Sequence, residues 1–152
     1  VQVDEGELAR AILRLMELEK TVVEGAGAAA LAAALHRDLG LAGKRVVLLL
    51  SGGNIDLSVV ERIIERGLSV EGRLCRIVMP ASDRPGSLVK LLTVIAAEGG
   101  SIKEVQHDRS FGPVDVAQVS IACLVETRDR THIATLLAAL KVAGYDARLD
   151  GG

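Results

Sequence analysis

Aromatic side chains are almost absent from this 152-residue sequence, which has one phenylalanine (Phe111), one tyrosine (Tyr145) and no tryptophan. Base-stacking nucleic-acid modules need aromatic platforms, and the net charge of -2 provides no basic surface for a phosphate backbone. The two cysteines, Cys75 and Cys123, are too few for a disulfide framework. We therefore expect neither a nucleic-acid-binding module nor a disulfide-stabilised secreted domain.

Long apolar runs are lacking as well. No stretch reaches the roughly eighteen residues that a transmembrane helix needs, and the acidic start VQVDEGELAR predicts no signal peptide. The expected compartment is the cytoplasm, and the missing initiator methionine leads us to expect a fragment or a processed product. The three histidines have no metal-ligand spacing, so we expect no metal site.

Hydrophobic residues make up 49% of the chain, which is enough for a folded core, and the first part is predicted to be mainly helical. Asp4 and Glu7 have the spacing of a capping box that opens a helix. Apolar residues then recur at helical spacing, at Leu8, Ile12, Leu15 and Leu18. An alanine-rich helix follows over residues 24–40, with Gly40 as its C-cap, and its small side chains suit close packing against a neighbour.

A continuous apolar run, Val46 to Leu50, predicts a strand that is covered on both faces. The turn Ser-Gly-Gly-Asn follows, and then a helix that Asp56 caps and Gly67 closes. Ligands bind at such turns in open α/β sheets, and the N-terminus of the next helix favours an anion there. The same pattern is also typical of a plain tight connection between a strand and a helix.

The second part of the sequence has the element order β-α-β-β-α-β, which is the ferredoxin-like motif. The predicted strands are 74–79, 102–107, 114–125 and 147–149, with a hairpin loop at 109–113. The first helix follows the turn at 82–88, and the second is capped by Asp129 or Thr131. The predicted fold class is α+β, a ferredoxin-like domain preceded by a helix-rich α/β segment, with the boundary near residues 69–72.

The segment VVEGAGAAALAAAL, followed by KRVVLLLSGGNIDLS, resembles the C-terminal part of the catalytic domain of threonine dehydratases, which are fold type II pyridoxal-phosphate enzymes. The resemblance covers residues 1–70. It implies that the Ser51 hydroxyl bonds the pyridine nitrogen of the cofactor and that Gly52, Gly53 and Asn54 line the ring. It also implies a polar role for Glu24 at the edge of the cofactor; a simple helix N-terminal carboxylate is the alternative.

The parent reaction that this resemblance implies converts L-threonine to 2-oxobutanoate and ammonia. The Schiff-base lysine and the glycine-rich phosphate loop of that family have no counterpart in this sequence, whose five lysines lie in other contexts. Covalent catalysis of that kind needs an activated lysine. We therefore expect no catalytic residue here, no bound cofactor in this chain alone, and no threonine deamination without the rest of the catalytic domain.

Residues 73–150 resemble an ACT domain, a small regulatory module that commonly senses amino acids. The resemblance rests on DRPGSL, residues 83–88, where a glycine lets a ligand reach the backbone at a helix start. Where many ACT domains have an asparagine beside the ligand, this sequence has a serine that is followed by isoleucine. The implied effector residues are Asp83, Arg84, Gly86, Ser87, Leu88, Ser101 and Ile102.

Three functions stay open at this point. The chain acts as an effector-binding regulatory domain, as an oligomerisation module without ligand, or as a residual half of an enzyme that needs a complementing chain. The apolar faces of residues 1–70 lead us to expect at least a homodimer, with helices exchanged between subunits as one form.

Overall fold

The computed structural model describes residues 1–108 and 118–150. The chain divides into two units, Val1–Val70 and Glu71–Gly152, here called unit 1 and unit 2. Among the described residues, no helix has both the length and the apolar character that crossing a membrane requires.

Unit 1 begins with the predicted capped helix. α1 spans Glu5–Arg14, the Glu7 N–H donates to the Asp4 carboxylate at 2.7 Å, and the Asp4 N–H donates to the Glu7 carboxylate at 2.9 Å. A π-helical turn, Leu15–Glu19, follows it. Leu18 lies within this wider turn, which rotates its side chain away from the α-helical position. Leu18 is therefore 67% exposed, and its predicted place on the buried face is wrong.

The alanine-rich helix α2 spans Gly25–His36 and packs against α1. The structure confirms the close packing that its small side chains predict, because one buried cluster contains Ala11, Ile12, Leu15, Val23, Ala28 and Ala32. The predicted end at Gly40 is wrong. Arg37 already has extended backbone (φ -127°, ψ 143°) and ends the helix there.

Arg37 connects the end of α2 to the start of α1. Its guanidinium donates two hydrogen bonds to the Glu7 carboxylate, at 2.5 and 2.8 Å, and a third from Nε to the Gln2 carbonyl at 3.2 Å. Glu7 is buried. A bidentate pair of this kind fixes the geometry of both partners.

This ion pair makes the stability of unit 1 depend on pH. The pKa of the Glu7 carboxyl lies below its ordinary value because Arg37 donates hydrogen bonds to it and the Asp4 N–H adds another. A carboxyl with a lowered folded pKa stabilises the fold above its unfolded pKa, and this contribution is lost as the pH falls through the folded pKa. We expect α1 and α2 to lose stability below the ordinary glutamate pKa, and Glu7→Gln to remove this acid dependence.

Denaturant unfolding followed at the amides of α1 and α2, at a series of acidic pH values, measures this effect. Glu5→Gln changes an exposed glutamate of the same helical turn and is the matched control. An unchanged acid dependence in Glu7→Gln would show that the Arg37 pair does not contribute.

Residues 45–56 form no regular secondary structure, so the predicted strand over 46–50 is absent. Val47 is 95% exposed and Leu49 is 83% exposed. A strand needs a neighbouring strand for its backbone hydrogen bonds, and residues 1–70, all of which the structure describes, contain none. The apolar run therefore has the composition of a buried strand without a sheet to join.

The helix α3 spans Leu57–Glu71, and Asp56 precedes it as predicted. The Asp56 carboxylate accepts a hydrogen bond from the Ser58 N–H at 2.8 Å. Gly67 does not close the helix, which is a correction to the sequence-based prediction. It lies buried inside α3, where an added Cβ would stand 2.9 Å from the Leu13 side chain, so its small size serves helix packing.

Unit 2 has the predicted β-α-β-β-α-β order. The elements are β1 (Leu74–Ser82), α4 (Ser87–Ala97), β2 (Ser101–Asp108), β3 (Gln118–Glu126), α5 (Arg130–Val142) and β4 (Arg148–Leu149). The strands form one antiparallel sheet in the order β2-β3-β1-β4, which confirms the α+β ferredoxin-like fold. The predicted hairpin loop at 109–113 and the start of the third strand at 114–117 lie outside the described residues.

The core of unit 2 lies between the sheet and its two helices. Alternate residues of β1 and β3 are buried, and the helices cover them with Leu91, Ile95, Leu136 and Leu140. Asp129 is the N-cap of α5, where its carboxylate accepts from the His132 N–H at 2.8 Å. This settles the choice between the two capping candidates of the sequence.

Candidate functional sites

The two motifs of unit 1 meet at the N-terminus of α2. The Glu24 N–H donates to the Gly52 carbonyl at 3.1 Å. Gly27, in the first turn of α2, has no Cβ, and an added one would overlap the Ser51 carbonyl oxygen. The EGAGA segment and the Ser-Gly-Gly turn, separated by more than twenty residues in sequence, thus form one local structure.

Position 52 requires glycine for two reasons, its backbone conformation and the atoms that surround it. Its φ of +82° lies in the left-handed region, and a Cβ there would overlap the Glu24 side chain. Glu24 is the N-cap residue of α2, but its carboxylate makes no capping hydrogen bond. The carboxylate lies beside Gly52 instead, which is compatible with a polar role at this turn as well as with stabilisation of the helix start.

The predicted cofactor residues are here called the Ser51 wall; Glu24 is half-buried, and the other four, Ser51, Gly52, Gly53 and Asn54, are exposed. A hydroxyl can both donate and accept a hydrogen bond, and the glycines allow a flat ring to approach the backbone. These groups fit one side of a pyridoxal-phosphate ring. Lys20, the lysine nearest to this wall in sequence, donates its amine to the Glu17 carbonyl at 2.7 Å.

The candidate effector residues of the DRPGSL turn lie at the start of α4. Gly86 is the N-cap, with φ +84° and ψ -11°, and no atom lies within 4 Å of an added Cβ. The Ser87 N–H donates to the Arg84 carbonyl at 3.1 Å. The next two amides of the first turn, those of Leu88 and Val89, are the ones that helix geometry leaves for an outside acceptor.

His107, at the end of β2, lies beside this turn. Its Nε2 is 3.5 Å from the Asp83 carboxylate. The register explains the proximity. β1 and β2 both pair antiparallel with β3, so they run in the same direction and their C-terminal ends lie at the same end of the sheet. This pair could be predicted from the sequence only if the order of the strands in the sheet were already known.

Ser101 and Ile102 lie at the other end of the sheet. Ser101 pairs with Glu126, which also pairs with Leu74 at the start of β1. At the strand rise, the length of β2 separates Ser101 from the DRPGSL turn by roughly 20 Å. One amino acid cannot touch both groups within a single chain.

The other candidate reactive groups are the metal-ligating side chains and the two cysteines. Among residues 1–108 and 118–150, no three histidine, cysteine or acidic side chains come together in a way that could hold a metal ion. Cys75 and Cys123 are buried free thiols on adjacent strands, where Cys75 faces Val125 and Cys123 faces Ile77. Burial raises the pKa of Cys123 to about 11 and also raises that of Cys75, so both stay protonated near neutral pH.

Comparison with known proteins shows similarity to one kind of enzyme over nearly the whole chain. An L-threonine ammonia-lyase of Thermotoga maritima is 41% identical over 151 residues, which cover 99% of this chain and 37% of that relative. A second, from Geobacter sulfurreducens, is 38% identical over 145 residues, which cover 95% of this chain and 36% of that relative. The chain thus spans little more than a third of the length of these curated relatives.

A solved structure, the regulatory subunit of aspartate kinase from Thermus thermophilus, matches 51% of this chain and 50% of its own. The TM-score is 0.41 and the sequence identity 20%. No protein-family model matches the sequence.

Proposed function

Because this chain is homologous over nearly its whole length to part of the L-threonine ammonia-lyases, we propose that it is the C-terminal regulatory part of such an enzyme. Residues 1–70 are the end of the pyridoxal-phosphate-dependent catalytic domain, and residues 73–150 are an ACT domain that binds an amino-acid effector. The observation that carries the effector role is the start of α4, where Gly86 leaves the backbone open to a ligand.

The parent enzyme converts L-threonine to 2-oxobutanoate and ammonia. Pyridoxal phosphate, when bound, supplies the electron sink for this reaction. In unit 1, Ser51 would offer its hydroxyl to the ring nitrogen, and a neutral partner of this kind would not hold that nitrogen protonated. Gly52, Gly53 and Asn54 would line the ring, and Glu24 would lie at its edge.

We expect the chain alone not to deaminate L-threonine, because it lacks the activated lysine on which covalent catalysis depends. With pyridoxal phosphate added, 2-oxobutanoate should form no faster than with the cofactor alone in buffer. Fusion to the remaining portion of the Thermotoga maritima relative should restore activity, and Ser51→Ala in that fusion should reduce it. Deamination by the unfused chain would contradict this part of the proposal.

The effector site uses the charges of a free amino acid. Its carboxylate accepts hydrogen bonds from the Leu88 and Val89 amides, where the helix dipole also favours an anion. Asp83, paired with His107, provides a carboxylate that can accept from the ammonium group. Arg84 and Ser87 flank the ligand from the same turn.

The site is complete only between two copies of the chain. β2 is an edge strand, and its two ends carry the two halves of the candidate site. If two β2 edges pair antiparallel across a twofold axis, Ser101 of the partner subunit comes next to the DRPGSL turn, together with Ile102 of the partner subunit. We therefore propose a homodimer whose effector sites lie at the subunit interface.

An effector bound there regulates the parent enzyme by differential affinity. If it binds one arrangement of the dimer more tightly than another, it shifts the population of active states by that difference. Whether it activates or inhibits depends on which arrangement it prefers.

Calorimetric titration with L-threonine, L-serine, L-isoleucine and L-valine tests the effector proposal. We expect saturable binding of at least one of them, weakened by about tenfold or more in Gly86→Val, because the left-handed turn and the open approach are both lost. Gly144→Val is the matched control, since Gly144 also has a positive φ (+90°) and open surroundings but lies after α5. A stable oligomer that binds none of the four would overturn effector sensing and favour a plain oligomerisation module.

A further inference from the structure

The backbone of residues 51 and 52 contacts the start of α2, although the residues directly before them form no regular secondary structure. The apolar run before it is exposed and belongs to no sheet, as Val47 and Leu49 show. Leu50, by contrast, packs against the buried cluster of α1 and α2. Leu50 directly precedes the turn, so the turn follows immediately on a residue that packs against this cluster.

Two contacts join this turn to α2, and they involve different groups. The Gly52 carbonyl accepts from the Glu24 N–H at 3.1 Å. The Ser51 carbonyl lies directly against the Cα side of Gly27, in space that any other residue would fill with its Cβ. Gly27 is buried, whereas Gly25, two residues earlier in the same helical turn, has no atom within 4 Å of an added Cβ.

We propose that Gly27 is a positioning residue for Ser51. By leaving room for the Ser51 carbonyl, it lets the Glu24–Gly52 hydrogen bond form, and these two contacts together set the direction of the Ser51 side chain. The positioning stands on these contacts alone; its use in holding a cofactor rests on the proposed function.

The two glycines of α2 make a matched pair for the test. Gly27→Ala and Gly25→Ala both add one methyl group in the first turn of the helix, and both replace glycine by a better helix former. In Gly27→Ala we expect the Glu24 amide to exchange with solvent about tenfold faster, because its hydrogen bond to Gly52 is lost. The Ser51 and Gly52 resonances should shift as well, and in Gly25→Ala all these signals should stay as in the unchanged chain.

A second amide separates positioning from general stability. The Arg37 N–H donates to the Ala33 carbonyl at the far end of α2. Its protection should be kept or increased in both variants because alanine favours the helix. If Gly27→Ala instead lowers the protection of Arg37 and Glu24 equally, Gly27 acts only on the stability of the helix and the proposal is overturned.

The unchanged chain gives an independent measurement if Gly27→Ala does not fold. Its Glu24 amide must be protected relative to an unstructured peptide, and exchange at the unstructured rate would also overturn the proposal. The cofactor role fails separately: if Ser51→Ala leaves the activity of the complemented lyase unchanged, Gly27 still positions the turn, but not for pyridoxal phosphate.

Discussion

Replacing His132 with alanine is expected to destabilise unit 2 by about 3 kcal/mol. His132 is buried, and both ring nitrogens are bonded to the backbone. Its Nδ1 accepts from the Arg128 N–H at 3.1 Å, so Nε2 carries the proton and donates to the Glu98 carbonyl at 2.9 Å. The imidazole thus joins the start of α5 to the end of α4.

The cost is large because alanine removes a buried imidazole and leaves the Arg128 N–H and the Glu98 carbonyl, whose hydrogen bonds to it are part-buried, without these partners. Denaturant unfolding of unit 2, followed at the amides of β1 and β3, measures the change. Thr131→Ala, at the exposed neighbouring position of α5, is the control and should change the free energy of unfolding by less than about 0.5 kcal/mol. Equal effects of the two substitutions would show that the imidazole bonds contribute nothing.

Leu136→Ala should destabilise unit 2 by a similar amount, about 3 kcal/mol, for a different reason. Leu136 is 0% exposed on the face of α5 that packs against the sheet. Removing its side chain takes away apolar burial and leaves a cavity that its neighbours fill only in part.

The control for Leu136→Ala lies on the same helix. Val142 is 90% exposed, so Val142→Ala should change the unfolding free energy by only a few tenths of a kcal/mol. The same unfolding transition measures both variants. A loss below about 1 kcal/mol for Leu136→Ala would contradict the assignment of the core, because even Ile→Val changes in cores reach that size.

Local signals in the sequence predicted the helix starts well. The capping box of Asp4 and Glu7, the cap at Asp56 and the cap at Asp129 each depend on residues within three or four positions of one another. The alternation of apolar residues in β1 and β3 likewise depends on neighbours along one strand. Such patterns need no knowledge of the rest of the fold.

Three of the wrong predictions concern features that local sequence patterns do not determine. A strand over 46–50 requires a neighbouring strand that unit 1 does not contain. Gly67 resembles a helix end until Leu13 is known to pack against it. The exposure of Leu18 follows from a π-helical turn that no local sequence pattern predicts.

In the candidate sites, too, some features could be predicted from the sequence and others required the three-dimensional structure. The resemblance of the motifs to known families indicated the Ser51 wall and the DRPGSL turn, but the contact between Gly27 and Ser51 became visible only in three dimensions. The pairing of His107 with Asp83, and the separation of Ser101 from the same turn, follow from the strand order β2-β3-β1-β4. Periodicity predicts strands, but it does not give their order in the sheet.

Amide chemical shifts of the ¹⁵N-labelled chain, followed during titration with the four candidate amino acids, test the proposed regulatory role most directly. We predict saturable shifts at Gly86, Ser87 and Leu88, together with shifts at Ser101 and Ile102 at the opposite end of β2. The second group distinguishes an interface site from one within a single chain, since the two ends of β2 are roughly 20 Å apart. Saturable shifts confined to unit 1, or no shifts from any of the four, would contradict an amino-acid effector site in this domain.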